Sequence, residues 1–153
     1  MDTPLEIKVA LTMLQPPPLV FEAIVDPAKM SGYFIASGTA RMEPGSTVNW
    51  TFPEMDTSFP VKVHEVKKDE SISFAWGDTE GNETTVDITL KVLRNDATQV
   101  KIIEKSRPND EAGLKWLKGN TEGWANFLCC LKAYLEYGIN LRKGAFEKDQ
   151  MPE

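Results

Sequence analysis

Apolar positions along this 153-residue chain alternate at first, then recur at helical spacing, then alternate again through a long middle stretch. Glu6 to Leu14 puts Ile7, Val9 and Leu11 on one side of an extended segment, which predicts a first strand. Pro16, Pro17 and Pro18 end it, because proline cannot donate to a ladder, and proline also suits a helix entrance. A helix is then predicted to carry Val20, Phe21, Ile24 and Val25. Asp26-Pro27 breaks it, and Asp26 can cap a second short helix running to about Tyr33. Strands are predicted over Thr39 to Met42, Thr47 to Phe52, Val61 to Val66, Ser71 to Trp76, Thr84 to Leu93 and Thr98 to Lys105. Turn chemistry separates them at Glu43-Pro44-Gly45-Ser46, Lys67-Lys68-Asp69-Glu70, the polar loop Gly77 to Asn82, and Arg94-Asn95-Asp96. Connections this short join antiparallel neighbours. Val86, Ile88, Leu90 and Val92 share one face of their strand, so alternation leaves the sheet an apolar face that needs a cover.

The chain supplies that cover near its C-terminus. Gly123 to Gly138, GWANFLCCLKAYLEYG, reads as an amphipathic helix. At about 100° per residue, Trp124, Phe127, Leu128, Leu131, Tyr134 and Leu135 share one face. Trp116 and Leu117 join that face if the helix already runs there, while Lys118, Glu122, Asn126, Lys132 and Glu136 take the opposite side. Gly113, Gly119 and Gly123 weaken the early part of such a helix. The stripe is broader than a coiled-coil seam and suits a helix laid across a sheet. The pattern therefore predicts an α+β fold in a single domain over residues 1–153: a strand, two short helices, about six antiparallel strands and one long helix.

Composition narrows the function classes. Hydrophobic residues at 41% and charged residues at 26% are ordinary for a globular domain, and 153 residues can bury a core without staples. A net charge of -6 with no clustered basic surface argues against nucleic acid. No apolar run approaches the ~18 residues that span a bilayer, so no membrane insertion is expected. The N-terminus lacks a basic region and a small-residue cleavage site, so no signal peptide is expected either. Cys129 and Cys130 are the two cysteines, and adjacent helical positions make a disulfide between them strained. A reducing, cytoplasmic setting is the expectation. On the helical projection Cys129 lies on the polar side and Cys130 on a flank, so both read as small, half-buried structural residues.

Recognisable catalytic signatures are few. His64 is the one histidine and projects outward beside Lys62, which rules out a multi-histidine metal site and argues against Ser-His or Cys-His chemistry. There is no GxGxxG after a strand, no phosphate-binding GxxxxGK loop, no HExxH and no CxxC, so no cofactor and no metal are expected. The carboxylates are scattered, without an identifiable glycosidase-like pair. Glu104 stands out, because alternation puts it on the face of Val100 and Ile102. An inward carboxylate there would be desolvated, and could hydrogen-bond a ligand or act as a general acid. The second reading, which the strand-end position favours, sets it on a wet rim paired with a lysine or arginine.

Five segments together carry a family resemblance: PPPLVFEAIVDPAKMSGYF (Pro16 to Phe34), RMEPGSTVNW (Arg41 to Trp50), VHEVKKDESISFAW (Val63 to Trp76), TQVKIIEK (Thr98 to Lys105) and GWANFLCCLKAYLEYG. In this order they resemble the START-like, birch-pollen-allergen-like superfamily, also called SRPBCC, and within it the branch related to the activator of the heat-shock-protein-90 ATPase. Two motifs depart from that branch. Tyr33-Phe34 stands where tryptophan often ends the helical pair, and Pro44-Gly45-Ser46 where Pro-Gly-Gly is usual. The resemblance implies a helix-grip fold, in which a curved antiparallel sheet of about six to seven strands wraps a long C-terminal helix and leaves an apolar pocket between them. The lining it suggests is Tyr33, Phe34, Trp50, Phe52, Phe74, Trp76, Ile88, Glu104, Trp116, Trp124, Phe127, Leu128 and Leu131. A pocket of several hundred Å³ would bind a small hydrophobic molecule by burying ligand carbon, at about 25 cal/mol per Å². The alternative is that these side chains pack one another solid.

The resemblance implies two further roles. One is a chaperone-associated module, less expected because the full activator carries an additional N-terminal domain that this chain does not hold. The other is a cyclase- or aromatase-type enzyme using the same cavity, for which Glu104, Glu65 and Tyr33 are the available proton-transfer groups. A homodimer through an exposed strand or an apolar patch stays open.

Overall fold

The computed structural model describes residues 3–77 and 81–146, so residues 78–80 of the expected Gly77–Asn82 loop lie outside the described residues. Strand β1 (Leu5–Met13) is followed by helices α1 (Pro17–Val25) and α2 (Pro27–Met30). Strands β2 (Ser37–Gly38), β3 (Thr47–Thr51), β4 (Ser58–Lys67), β5 (Ser71–Gly77), β6 (Glu83–Val92) and β7 (Thr98–Arg107) come next, and helix α3 (Glu111–Tyr137) closes the order. The strands form one curved, open antiparallel sheet in the order β1-β7-β6-β5-β4-β3-β2. Sequence neighbours pair throughout except for β1, which crosses to lie beside β7.

Alternation produced the expected inner face. Val61 and Val63 on β4, Ile72 and Phe74 on β5, Val86, Ile88 and Leu90 on β6, and Val100 and Ile102 on β7 are all buried. Between Val63 and Glu65 the β4–β5 register shifts by one residue at the exposed His64, a bulge that keeps valines inward on both sides of it. Val92 departs from the expected face and is 59% exposed, because the strand there has run past its cover. Pro17 at the first turn of α1 and Asp26, whose carboxylate accepts from the Ala28 N–H at 2.9 Å, start the two short helices.

Thr39 to Met42 is not a strand. The Met42 N–H donates instead to the carbonyl of Val25 at 3.0 Å, tying this segment to the end of α1, and the sheet's edge is made by the two residues of β2 opposite Trp50 and Thr51. Helix α3 begins a full three turns before Gly123. Asp110 caps it by accepting from the Gly113 N–H at 2.7 Å, and a Cβ at position 113 would stand 1.9 Å from the Pro108 carbonyl. That glycine is demanded by the close approach of the loop, and Trp116 then reaches the core at 8% exposure. Gly138 ends the helix in the left-handed region, with φ 66°, where glycine carries no Cβ penalty.

Lys132 and Glu136 do not face open solvent as the helical projection implied. Lys132 Nζ donates to the Thr12 carbonyl and to Glu136 Oε2, both at 2.7 Å, and the Leu14 N–H donates to Glu136 Oε2 at 2.8 Å. The polar flank of α3 thus grips the end of the edge strand. Burial by itself would raise the Glu136 carboxyl, but the Leu14 N–H and the Lys132 ammonium together hold it below the usual carboxylate range. A carboxyl lowered on folding adds stability above its unfolded value of about 4.3, and this is lost as pH falls through the folded value. Glu136→Gln should therefore be less stable than the wild type at neutral pH, with the gap closing as pH falls below about 4 in urea titrations. A pH-independent gap would contradict this.

Candidate functional site

Glu104 lies on β7 between Ile7 of β1 and Val86 of β6, with no exposed surface. It is not on a wet rim, and among the described residues no lysine or arginine pairs with it. Four neutral donors surround it instead. Oε1 accepts from Trp124 Nε1 at 2.8 Å and from Asn120 Nδ2 at 3.1 Å. Oε2 accepts from Trp76 Nε1 at 2.8 Å and from the Thr84 hydroxyl. A carboxylate offers about four lone-pair positions, and all are taken. The donors come from β5, β6 and α3, so the curved sheet and its covering helix meet on one side chain.

That arrangement sets the wall of a cleft. Trp76 and Trp124 approach with centroids 5.3 Å apart and a 31° tilt, their Nε1–H edges turned to Glu104. Beside them lies an opening of about 100 Å³ lined by Phe34, Phe52, Trp76, Gly119, Asn120, Gly123, Trp124, Asn126, Arg142 and Phe146. At Gly123 a Cβ would meet no heavy atom within 4 Å, so the helix surface there faces open space. The volume falls well short of several hundred Å³. The reason is the aromatic packing behind the wall, where Phe34 stands edge-on to Phe127 at 4.7 Å and Trp50 edge-on to Phe74 at 5.7 Å.

The expected lining residues therefore divide. Phe34, Phe52, Trp76 and Trp124 line the cleft. Tyr33, Trp50, Phe74, Ile88, Phe127, Leu128 and Leu131 belong to the packed core. Trp116 also joins that core, away from the cleft, with the Arg107 guanidinium carbon 5.8 Å from its ring centroid, and Glu104 stands behind the wall. Of the other proton-transfer candidates, Glu65 is exposed and pairs with Lys67 at 3.2 Å. Tyr33 is fully buried and donates to the Ala23 carbonyl at 2.9 Å, and burial pushes its hydroxyl well above the usual range. Neither cysteine is half-buried as expected: Cys129 is exposed, whereas Cys130 joins the core at 5% exposure, and burial raises its thiol. Neither Tyr33 nor Cys130 is thereby prepared for chemistry at neutral pH. Among the described residues no group of three or more His, Cys, Asp or Glu is placed to hold a metal ion.

Sequence reasoning missed the mouth of the cleft. Arg142, in the turn after α3, is 6% exposed and forms a bidentate pair with Glu54, Nε to Oε2 at 3.2 Å and Nη2 to Oε1 at 2.8 Å. Its guanidinium lies 4.9 Å from the Phe52 centroid, 5.0 Å from Phe146 and 5.4 Å from Phe34. This strap, the turn over residues 139–146 rather than a strand or helix, brings Arg142 and Glu54 near enough to Cys130 to act on its thiol. Asn120 and Thr84 were findable: Asn120 precedes Trp124 by one helical turn, and Thr84 breaks an otherwise apolar face of β6.

The model of the family described as activator of Hsp90 ATPase homolog 1-like protein matches residues 15–136, from the end of β1 to the last turn of α3. The chain belongs to this family. Its AHSA1-type, START-like fold recurs in solved structures. SSP2350 from Staphylococcus saprophyticus is 32% identical with a TM-score of 0.79, the match covering 90% of this chain and 96% of that one. DynU16, a protein of the dynemicin biosynthetic locus, is 25% identical with a TM-score of 0.77; the match covers 88% of this AHSA1-type chain and 48% of DynU16, about half its length. The Aha1 dimer from Colwellia psychrerythraea shares the fold at a TM-score of 0.75 and 17% identity, over 88% of this chain and 98% of that one. No curated protein matches the chain.

Two outcomes test this site in the AHSA1-type domain. In Glu104→Gln the Thr84 hydroxyl and the Asn120 amide can turn to accept, but an indole cannot, so one tryptophan N–H is left facing an amide N–H. The expected loss is about 1–3 kcal/mol by denaturant unfolding, and Glu104→Leu, which strands all four donors, should lose more. Glu54→Ala should speed amide hydrogen exchange at Lys143 and Ala145, whose N–H groups bond within the strap, by about tenfold while the β5–β7 amides stay protected, because it frees the strap without opening the sheet.

Proposed function

We propose that this START-like domain binds a small hydrophobic molecule in the cleft between α3 and the sheet. The observation that carries the reading is the wall itself: Phe34, Phe52, Trp76 and Trp124 present apolar surface to a space left open at Gly123, with Asn120, Asn126 and Arg142 at its margins. A pocket of aromatic walls and a few polar groups is the general form of a small-molecule site. At about 100 Å³ the cleft suits one ring or a short chain. Free Cys129 and Cys130 suit a reducing, cytoplasmic setting.

A second reading, an enzyme acting on a small molecule in the same cleft, draws support from DynU16, which belongs to a biosynthetic locus. Glu104 would be its acid or base, and a substrate would have to take the place of one of its present donors. A chaperone-associated role has the family's description behind it, and the Aha1 dimer is compatible with a homodimer.

Substitution at Gly123 tests the binding reading without attacking the core. Gly123→Leu projects a side chain into the cleft and replaces a helix-interior glycine, so the variant should be about as stable as the wild type or up to about 1 kcal/mol more so. Titration with toluene or indole, followed by the Trp76 and Trp124 Nε1–H resonances, should show saturable shifts in the wild type and none in the variant. Equal binding by both would place the ligand elsewhere.

A further inference from the structure

The Asn120 amide stands at the cleft with one end already committed. Its Nδ2 donates to Glu104 Oε1, and a carboxylate can only accept, so the amide cannot turn its oxygen toward Glu104. Trp76, Thr84 and Trp124 fill the remaining positions of the carboxylate and leave no alternative arrangement. Among the described residues no buried side-chain oxygen lacks a partner, and Asn120 Oδ1 accepts no hydrogen bond, so that oxygen lies open. Asn120 lines the cleft. The other polar groups there behave differently. Both indole N–H groups are turned to Glu104, the Arg142 guanidinium is held by Glu54, and the Asn126 amide makes no hydrogen bond among the described residues that would orient it.

We propose that Asn120 Oδ1 is the oriented acceptor that selects the ligand, and that the ligand class is a single-ring aromatic carrying a hydrogen-bond donor, such as a phenol. Glu104 is the positioning residue for this selection. It fixes the direction of the amide, and by taking both indole N–H groups it leaves the aromatic walls without a donor of their own. The ring packs against Phe34, Phe52 and the two indoles, and its O–H or N–H points to Asn120. This rests on the cleft being the binding site.

Phenol and toluene have the same shape, with a hydroxyl in place of a methyl, and so isolate the donor. Their dissociation constants are measured by titration against the Trp76 and Trp124 Nε1–H resonances in the wild type and in Asn120→Leu, with Asn120→Ala as the smaller change should the leucine variant not fold. The ratio of phenol to toluene affinity is expected to fall about fivefold to tenfold in the variants, with toluene binding retained. A ratio that changes by less than about twofold while both ligands still bind would overturn the selection by Asn120 and leave the cleft reading standing. If neither compound perturbs the two indoles in the wild type, both the selection and the cleft reading are overturned.

Discussion

The carboxylate of Glu104 couples three strands to the helix that covers them. Desolvating a charge costs several kcal/mol, and no cation among the described residues offsets it here. The compensation is four hydrogen bonds to an ionisable acceptor, each of a kind that contributes about 1.5–3 kcal/mol. Those bonds reach Trp76 on β5, Thr84 on β6, and Asn120 and Trp124 on α3. The geometry of the wall follows from this. Two indoles tied by their N–H edges to the two oxygens of one carboxylate have little freedom to tilt, and their faces are what the cleft receives.

Behind the wall, the grip of sheet on helix is filled by rings. Tyr33, Phe34, Trp50, Phe74 and Phe127 interlock at centroid distances near those at which aromatic pairs attract. A START-like fold therefore does not oblige a large cavity. The volume available depends on which side chains point inward and on what covers the mouth. Here the cover is the Arg142 strap, with its cation set among three phenyl rings and neutralised by Glu54.

The order of strands and helices was legible because its signals are local. Alternation at Val86, Ile88 and Leu90, proline at Pro17 and the cap at Asp26 each act within a few residues. The same locality explains the errors. Thr39 to Met42 has strand-like composition, but a backbone bond to Val25, seventeen positions upstream of Met42, claims it. The stripe of α3 was read correctly at Trp124, Phe127 and Leu131, whereas Cys130, assigned to a flank, is packed into the core cluster. Within the site, alternation brought Glu104 inward, but its four donors lie sixteen to twenty-eight residues away and no spacing rule joins them. Position at the end of a predicted strand argued for a wet rim. The strand continues two residues further, to Arg107, and the helix lies across it.

Lys132 and Glu136 lead to a different consequence. By offering an ammonium to the Thr12 carbonyl and a carboxylate to the Leu14 amide, α3 stands in for a missing neighbour at the end of β1. At the opposite margin of the sheet, β2 is only two residues long. Long unpaired edges invite strand-to-strand adhesion between molecules, and short or side-chain-blocked ones resist it. The same lysine and glutamate that fasten the helix thus also occupy backbone groups at the end of this edge that an added strand would need. They leave exposed side chains such as Leu14, Tyr137 and Ile139, close by in the chain, as the more available means for two copies to meet.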